Sequence, residues 1–216
     1  MTWQVLLAAA LGALLGYGGG WLSPRWLKVR PQAWTLGALA AVNGVLTGLL
    51  AAQHPLGSAY FWHHLLFIAI LTTAAYVDLH ERIIPNELVL FGLGAGLLLL
   101  LVAGYPEKSF LQALGGAAAG FGFMYLLAVL VPNGMGYGDV KLMAVIGLFL
   151  GWPWIGMGLP LAFLAGGVAS AVVIFMRLFK QQNRHIPFGP YLAIGAIATV
   201  LYGWEIWVWY TSYALY

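Results

Sequence analysis

Two aspartates carry the chemistry that this sequence suggests, because each adjoins a long apolar run, where an ionisable group is costly. Asp78 directly follows the apolar run of residues 61–77, and Asp139 directly precedes the run of residues 140–151. Two carboxyl groups a few ångströms apart do not both ionise readily, so such a pair shares one proton. One member then acts as a base on water and the other as an acid, as in aspartic proteases. This chemistry requires no metal, no thiol and no cofactor, and we predict none.

The residues around the aspartates fit this chemistry. Gly136 and Gly138 precede Asp139 and would let the backbone approach a substrate, because they have no Cβ. Lys141 could favour the charged form of a nearby carboxyl group, or it could extend to lipid headgroups. Pro85 is well placed to open the helix after Asp78, since a missing N–H costs least there.

A purely structural interpretation of the aspartates is equally open at this point. Asp139 could simply cap the N-terminus of its helix, and Asp78 could be a polar residue at the end of a membrane helix. The spacing of the two residues in the sequence does not decide between this interpretation and the catalytic one.

Composition shows what kind of protein must position these residues. Of 216 residues, 62% are hydrophobic and 7% are charged, whereas an ordinary soluble domain has about 25% charged residues. Nine basic and six acidic residues cannot cover the surface of a soluble protein of this length. We therefore predict one all-α membrane domain over residues 1–216, surrounded by lipid. The net charge of +3 is too small and too dispersed to suggest a nucleic-acid partner.

Eight apolar runs predict eight transmembrane helices. They are residues 3–22, 33–51, 61–77, 87–104, 110–131, 140–151, 154–179 and 188–210. The run of residues 140–151 is doubtful as a span, because twelve helical residues extend only about 18 Å. The absence of cysteine excludes disulfides, a thiolate nucleophile and cysteine metal sites.

The distribution of Lys and Arg supports all eight spans, because these residues concentrate in cytoplasmic loops. With eight spans, eight of the nine fall on one face: Arg25, Lys28, Arg30, Arg82, Lys141, Arg177, Lys180 and Arg184. Lys108 alone falls on the other face. If the short run did not cross, this bias would disappear. We therefore predict both termini outside and both aspartates at the cytoplasmic face.

Three stretches of the sequence make it similar to a known family. Residues 78–86, DLHERIIPN, resemble a pattern that begins with Asp and ends in Ile-Pro-Asn. Residues 134–144, GMGYGDVKLMA, contain a GxGD core, and residues 186–190 read IPFGP. Together, and in this order, they resemble the motifs of the prepilin peptidases, or type IV leader peptidases, which are GxGD-type membrane aspartic proteases. The likeness covers about residues 76–216.

This resemblance implies that Asp78 and Asp139 are the catalytic pair, supported by Pro85, Gly136, Gly138 and Lys141. The expected reaction is cleavage of the short basic leader from prepilin-like or pseudopilin-like proteins at the cytoplasmic face of the inner membrane. Many members carry a cysteine-containing, zinc-binding insert that is linked to N-methylation of the product. Here the corresponding loop is residues 23–31 and the chain has no cysteine, so we predict a peptidase without N-methyltransferase activity.

Two alternatives stay open at this stage. One is another GxGD-type protease, similar to presenilin or the signal peptide peptidases. In the pattern of those proteins a Tyr precedes the first aspartate, whereas Val77 precedes Asp78 here. The other is a small transporter that uses Asp78 and Asp139 as proton or cation sites.

Overall fold

All regular secondary structure in the described part of the chain is helical. The structure is a computed structural model that describes residues 2–27, 31–102, 110–131, 135–177 and 187–214. A short 3-10 turn, Ser23–Arg25, follows the first helix. The helices α1 to α8 are Thr2–Leu22, Ala33–Gln53, Ala59–Glu81, Asn86–Val102, Phe110–Leu130, Tyr137–Leu150, Ile155–Arg177 and Gly189–Ala214. The predicted all-α bundle with eight helices is thus confirmed.

Most of these helices have the length and composition of membrane helices. Within the described ranges, α1, α2, α3, α5 and α8 are long and apolar enough to cross a membrane, judged by length and composition. The α4 helix and the Ile155–Val168 part of α7 are shorter apolar helices. The α6 helix has 14 residues, which extend about 21 Å. The chain is a multi-pass membrane protein, and its orientation stays a prediction.

The two helix ends that carry the aspartates extend beyond the apolar runs that predicted them. The α3 helix continues four residues past Val77 to Glu81, where Arg82 adopts a left-handed conformation with φ 56°. The α6 helix begins at Tyr137, three residues before the predicted run. An apolar run marks only the part of a helix that suits lipid, and the backbone hydrogen bonds continue beyond it. As a result, both aspartates lie inside helices.

The two helices that carry the aspartates form the centre of the bundle. The α3 helix contacts α1, α2, α4, α6 and α8 and is the most buried of the five long apolar helices. The α6 helix packs against α3, α4, α5, α7 and α8, and ten of its fourteen residues are buried. Phe67 of α3 and Phe149 of α6 stack in this core with ring centroids 4.7 Å apart.

Glycines let the neighbouring helices approach α6 closely. A Cβ on Gly147 of α6 would overlap the carbonyl oxygen of Gly116 in α5, and a Cβ on Gly116 would overlap that of Gly147. On the α4 side, a Cβ on Gly96 would stand 2.7 Å from the Phe149 ring. Small residues are what membrane helices use for such close packing. This packing fixes the position of α6, and with it that of Asp139.

Candidate active site

Asp78 lies in the last turn of α3, where it is buried with 5% of its surface exposed. Its Oδ2 accepts a hydrogen bond of 2.8 Å from the backbone N–H of Gly189. Gly189 is the first residue of α8, and the free N–H groups at a helix N-terminus favour an anion. A Cβ at position 189 would stand 2.8 Å from that same oxygen, so the contact requires glycine.

Asp139 is the third residue of α6 and is also buried, with 8% of its surface exposed. Gly136 occupies the N-cap position, and its carbonyl accepts the Asp139 N–H at 3.1 Å. The Asp139 carboxyl group reaches back to the Gly136 backbone N–H, as in one half of a capping box. Asp139 is therefore not itself the N-cap residue. Its Oδ1 is buried and, within the described residues, has no hydrogen-bond partner.

The fold brings the two carboxyl groups close enough to interact electrostatically. Asp78 ends one central helix and Asp139 begins another, and the N-terminus of α8 adjoins the first of them. Two carboxyl groups that interact electrostatically out of water do not both carry a charge at low cost. The arrangement therefore suits a pair that holds one proton between its members.

The stretches that flank the aspartates also pack on each other. A Cβ on Gly138 would stand 3.1 Å from the Cβ of Ile84, so the absence of a side chain at 138 admits the Ile84 loop. Lys141 donates a hydrogen bond of 2.9 Å from Nζ to Oδ1 of Asn86 at the exposed edge of the site. These two contacts hold the start of α4 against the start of α6.

The other predicted site residues, Pro85, Gly136 and Lys141, lie close to the aspartates in the chain, and each has a defined contact. Pro85 directly precedes α4, and its carbonyl accepts the Val89 N–H at 3.2 Å, so it opens that helix as predicted. A Cβ on Gly136 would stand 3.2 Å from the Asp139 Oδ2, so glycine leaves room for the carboxyl group. For Lys141 the structure gives a role that neither sequence interpretation named, a contact with Asn86.

The sequence model of the type IV leader peptidase family matches residues 65–176, just over half of the chain and a segment that contains both aspartates. The chain belongs to the type IV leader peptidase family. It is therefore a peptidase, and nothing in the comparisons supports the transporter alternative.

Individual members of the family resemble most of this chain. It is 34% identical over 205 residues to the prepilin leader peptidase/N-methyltransferase of Aeromonas salmonicida, a match covering 88% of this chain and 68% of the relative. The protein of the same name from Bacillus subtilis is 37% identical over 150 residues, with coverages of 69% and 59%. That from Escherichia coli is 30% identical over 190 residues, with coverages of 85% and 80%. No solved structure matches the chain.

A metal centre would need several His, Cys, Asp or Glu side chains close together in space. In the part of the chain that the structure describes, no group of three or more His, Cys, Asp or Glu side chains is arranged to hold a metal ion. The prediction of a metal-free leader peptidase rests on the chemistry of the aspartate pair.

Three residues of this leader peptidase site were not assigned a role from the sequence. Gly189 lies in the stretch of residues 186–190, of which residue 186 is outside the described part. Ile84 and Asn86 lie in the stretch that begins at Asp78. Each belongs to a motif on which the family resemblance rests, and this membership was the sequence feature that could have indicated a role. Their roles depend on contacts with residues far away in the chain, which the sequence does not specify.

Proposed function

We propose that this chain is a membrane aspartic endopeptidase that cleaves the short basic leader from prepilin-like or pseudopilin-like proteins, with Asp78 and Asp139 as its catalytic pair. The observation that carries the proposal is that two carboxyl groups are buried at one end of the bundle, where the residues that flank them, Ile84 and Gly138, pack on each other, in a member of the type IV leader peptidase family. Two of the relatives named above are called prepilin leader peptidase/N-methyltransferases, and their alignments cover most of this chain.

The hydrogen bonds support different roles for the two aspartates. The Gly189 N–H on Oδ2 of Asp78 stabilises a carboxylate, so Asp78 is suited to be the base. The buried Oδ1 of Asp139, which has no partner among the described residues, suits the protonated member of the pair. Asp78 takes a proton from water as the water oxygen attacks the scissile carbonyl. Asp139 gives its proton to the carbonyl oxygen, which forms a gem-diol. Asp78 then passes the proton that it took from water to the leaving amine nitrogen, Asp139 takes back a proton from a gem-diol hydroxyl, and the C–N bond breaks to release the leader as a carboxylic acid.

The proposed location is the inner membrane, with the aspartates at its cytoplasmic face. Eight of the nine basic residues lie on the aspartate side of the predicted topology, in loops or at helix ends. Five of the nine, Lys28, Arg30, Lys108, Lys180 and Arg184, fall outside the described residues. A basic leader stays in the cytoplasm for the same reason that these loops do. The scissile bond of such a substrate is then at the level of the carboxyl groups, and residues 1–216 form one domain around them.

Cleavage of a synthetic prepilin-type peptide by the purified protein tests the proposal. The peptide carries a basic leader and an apolar stem, and mass spectrometry follows its products. We expect the unaltered protein to release the leader at the same rate with and without EDTA. Asp78→Asn and Asp139→Asn should each lose at least about 10³-fold in rate, because both proton transfers need an ionisable group.

A matched acid elsewhere in the chain provides the control. Glu205 lies on α8 beside a cavity lined by Gln53, Tyr60 and Trp204, none of which adjoins the aspartates in the chain. Glu205→Gln should therefore cleave the peptide at the unaltered rate. Substantial cleavage by either aspartate variant would contradict the assigned mechanism, and failure of the unaltered protein to cleave would contradict the proposed activity.

A further inference from the structure

We propose that a groove between α2, α3 and α8 seats the apolar stem helix of the substrate while its leader is cleaved. We refer to this as the stem groove, and the inference rests on the proposed function. The stem groove would select substrates that have a helical, membrane-embedded stem, whereas the two carboxyl groups would carry out the cleavage.

Three helices define the shape of the stem groove. The α3 helix packs against both α2 and α8, so it forms the floor and the other two form the walls. The space between them has a volume of about 660 Å³. Leu39, Val42 and Leu46 line the α2 wall, and Ala193, Ile197 and Leu201 line the α8 wall.

The stem groove is largely apolar, and we call the end that is lined by three side chains with polar groups its polar end. Thr35, Tyr76 and His80 line that end, where the Thr35 hydroxyl and the Tyr76 hydroxyl share a hydrogen bond of 2.9 Å. A smaller cavity of about 200 Å³ uses the same three residues and extends to Gln32 and Glu81. A substrate in which a polar leader precedes an apolar stem has the same order of polarity along its axis.

The polar end adjoins the aspartate site. Tyr76, Leu79 and His80 line the stem groove and lie within two residues of Asp78 on the same helix. On the other wall, Pro190 lines the groove and directly follows Gly189, whose N–H is bound to Asp78. From Pro190 to Tyr202 the α8 wall extends about 18 Å. A stem helix of about twelve residues seated there ends at the level of the catalytic carboxyl group.

The lining favours a helix over a lipid tail as the occupant. Ala38, Ala75, Ala193 and Ala198 contribute small side chains from all three helices. Small residues are typical of surfaces on which membrane helices approach each other closely, whereas flexible acyl chains do not require them. A fourth helix would pack in the cradle of α2, α3 and α8 with ordinary interaxial distances of about 8–10 Å.

Cysteine cross-linking locates the stem directly, because the chain contains no cysteine of its own. Single cysteines are introduced as Ala38→Cys and Ala198→Cys on the two walls, and as Ala118→Cys on the lipid-facing side of α5 for comparison. Each variant also carries Asp139→Asn, so that the substrate stays intact. It is reconstituted in nanodiscs with a prepilin-type peptide that has one cysteine in its stem. We expect disulfides from both wall positions and none from position 118.

Substrate preference gives a second, independent measurement. The assay compares kcat/KM for the stem-bearing peptide with that for a short peptide truncated soon after the cleavage site. Ala198→Phe should fill the stem groove and lower this ratio about tenfold, because an overpacked side chain costs at least the equivalent of one factor of ten in affinity. Ala118→Phe, an equal change on an exposed face, should keep the unaltered ratio.

These measurements separate the stem groove from the proposed activity. Equal cross-linking at all three positions, or none at the walls, overturns the groove. Labelling of the Ala198→Cys variant by a photoactivatable phosphatidylethanolamine also overturns the groove if added peptide fails to reduce it. In that case the occupant of the groove is lipid. Absence of cleavage by the unaltered protein counts against the peptidase activity instead, and the cross-linking pattern still decides the groove.

Discussion

The carboxyl oxygens of Asp78 and Asp139 have different surroundings, although the two residues are of the same type. One Asp78 oxygen is fixed by the first amide of α8, and one Asp139 oxygen is buried without a partner in the described part of the chain. A buried acceptor without a donor is unfavourable in a folded protein, and such groups persist where function requires them. In the mechanism proposed above, this oxygen carries the proton that Asp139 gives to the scissile carbonyl.

Gly189→Ala tests whether the α8 amide positions Asp78. The new Cβ would stand 2.8 Å from Oδ2 of Asp78 and 3.2 Å from its Cγ, so the carboxyl group must move. We expect kcat for the prepilin-type peptide to fall on the order of 10²-fold, because a displacement of about 1 Å has that effect on a catalytic group. The KM should change little, since the stem and leader contact other surfaces. Steady-state kinetics provides both values.

Gly195→Ala on the same helix is the matched control. Its Cβ would overlap the backbone nitrogen of Ala162 in α7, far along α8 from the aspartates. Both variants should lower the thermal stability of the protein in detergent, whereas only Gly189→Ala should lower kcat strongly. Similar losses of kcat in both would mean that position 189 acts through stability alone.

Sequence reasoning at this scale predicted an aspartate pair and missed the contacts that support it in the structure. Asp78 and Asp139 could be predicted because a charge beside an apolar run is costly and few acids were available. The partner of Asp78 could not be predicted, because Gly189 is 111 residues away in the chain. It also donates a backbone N–H, a group that nearly every residue has, so its residue type gave no signal. The Asn86 partner of Lys141 was missed for the same reason, since 55 residues separate them.

At the scale of helices, α6 explains how a short element can lie at the centre of a membrane bundle. A helix of 14 residues is shorter than the roughly 30 Å hydrocarbon core of a bilayer. Five other helices contact α6, however, so protein rather than lipid surrounds most of its length. After α6, the Trp152 N–H donates to the Gln112 carbonyl at the start of α5, at 2.8 Å. The end of α6 is thereby held beside the start of a long apolar helix.

Labelling of single cysteines tests whether α6 crosses the membrane. Arg82→Cys and Lys141→Cys should be protected from an impermeant thiol reagent added to intact cells, because both lie on the predicted cytoplasmic side. Gly57→Cys, between α2 and α3, and Trp152→Cys, after α6, should react. Permeabilised cells should show labelling at all four positions, as a control for accessibility. Protection of Trp152→Cys alongside labelling of Gly57→Cys would show that α6 does not cross.

Helix existence was easier to predict than helix ends. Eight apolar runs correspond to eight helices because length and hydropathy are set by lipid. The ends of α3 and α6 differ from prediction by four and three residues, because polar residues continue a helix wherever its backbone groups are satisfied. Those few residues contain both aspartates, which were expected at the end of the third span and at the start of the sixth and lie within the terminal turns of α3 and α6.

At the scale of the whole molecule, the chain has no equivalent of a cysteine metal site. The relatives named above are called prepilin leader peptidase/N-methyltransferases, whereas this sequence contains no cysteine. The stretch that joins α1 to α2 runs only from Ser23 to Gln32. A stretch of this length without thiols cannot build the zinc-binding insert expected of the methylating members.

We therefore expect cleavage without methylation. The purified protein is incubated with a prepilin-type peptide and S-adenosylmethionine, and mass spectrometry measures the new N-terminus of the product. The mature peptide should have its unmodified mass. The Aeromonas salmonicida relative, assayed in parallel, serves as the positive control for methyl transfer. A product heavier by one methyl group from this chain would refute the expectation.

The contact between Gly189 and Asp78 also sets the order in which this protein becomes active during its synthesis. Both aspartates precede α8, the last of the described helices, in the chain and are therefore synthesised before it. Until α8 inserts, Asp78 lacks its backbone donor and the stem groove lacks one of its walls. A nascent chain held at that stage would contain both carboxyl groups but neither a fixed base nor a substrate seat. Under the proposed mechanism, the protein therefore becomes competent for proteolysis only once α8 has inserted.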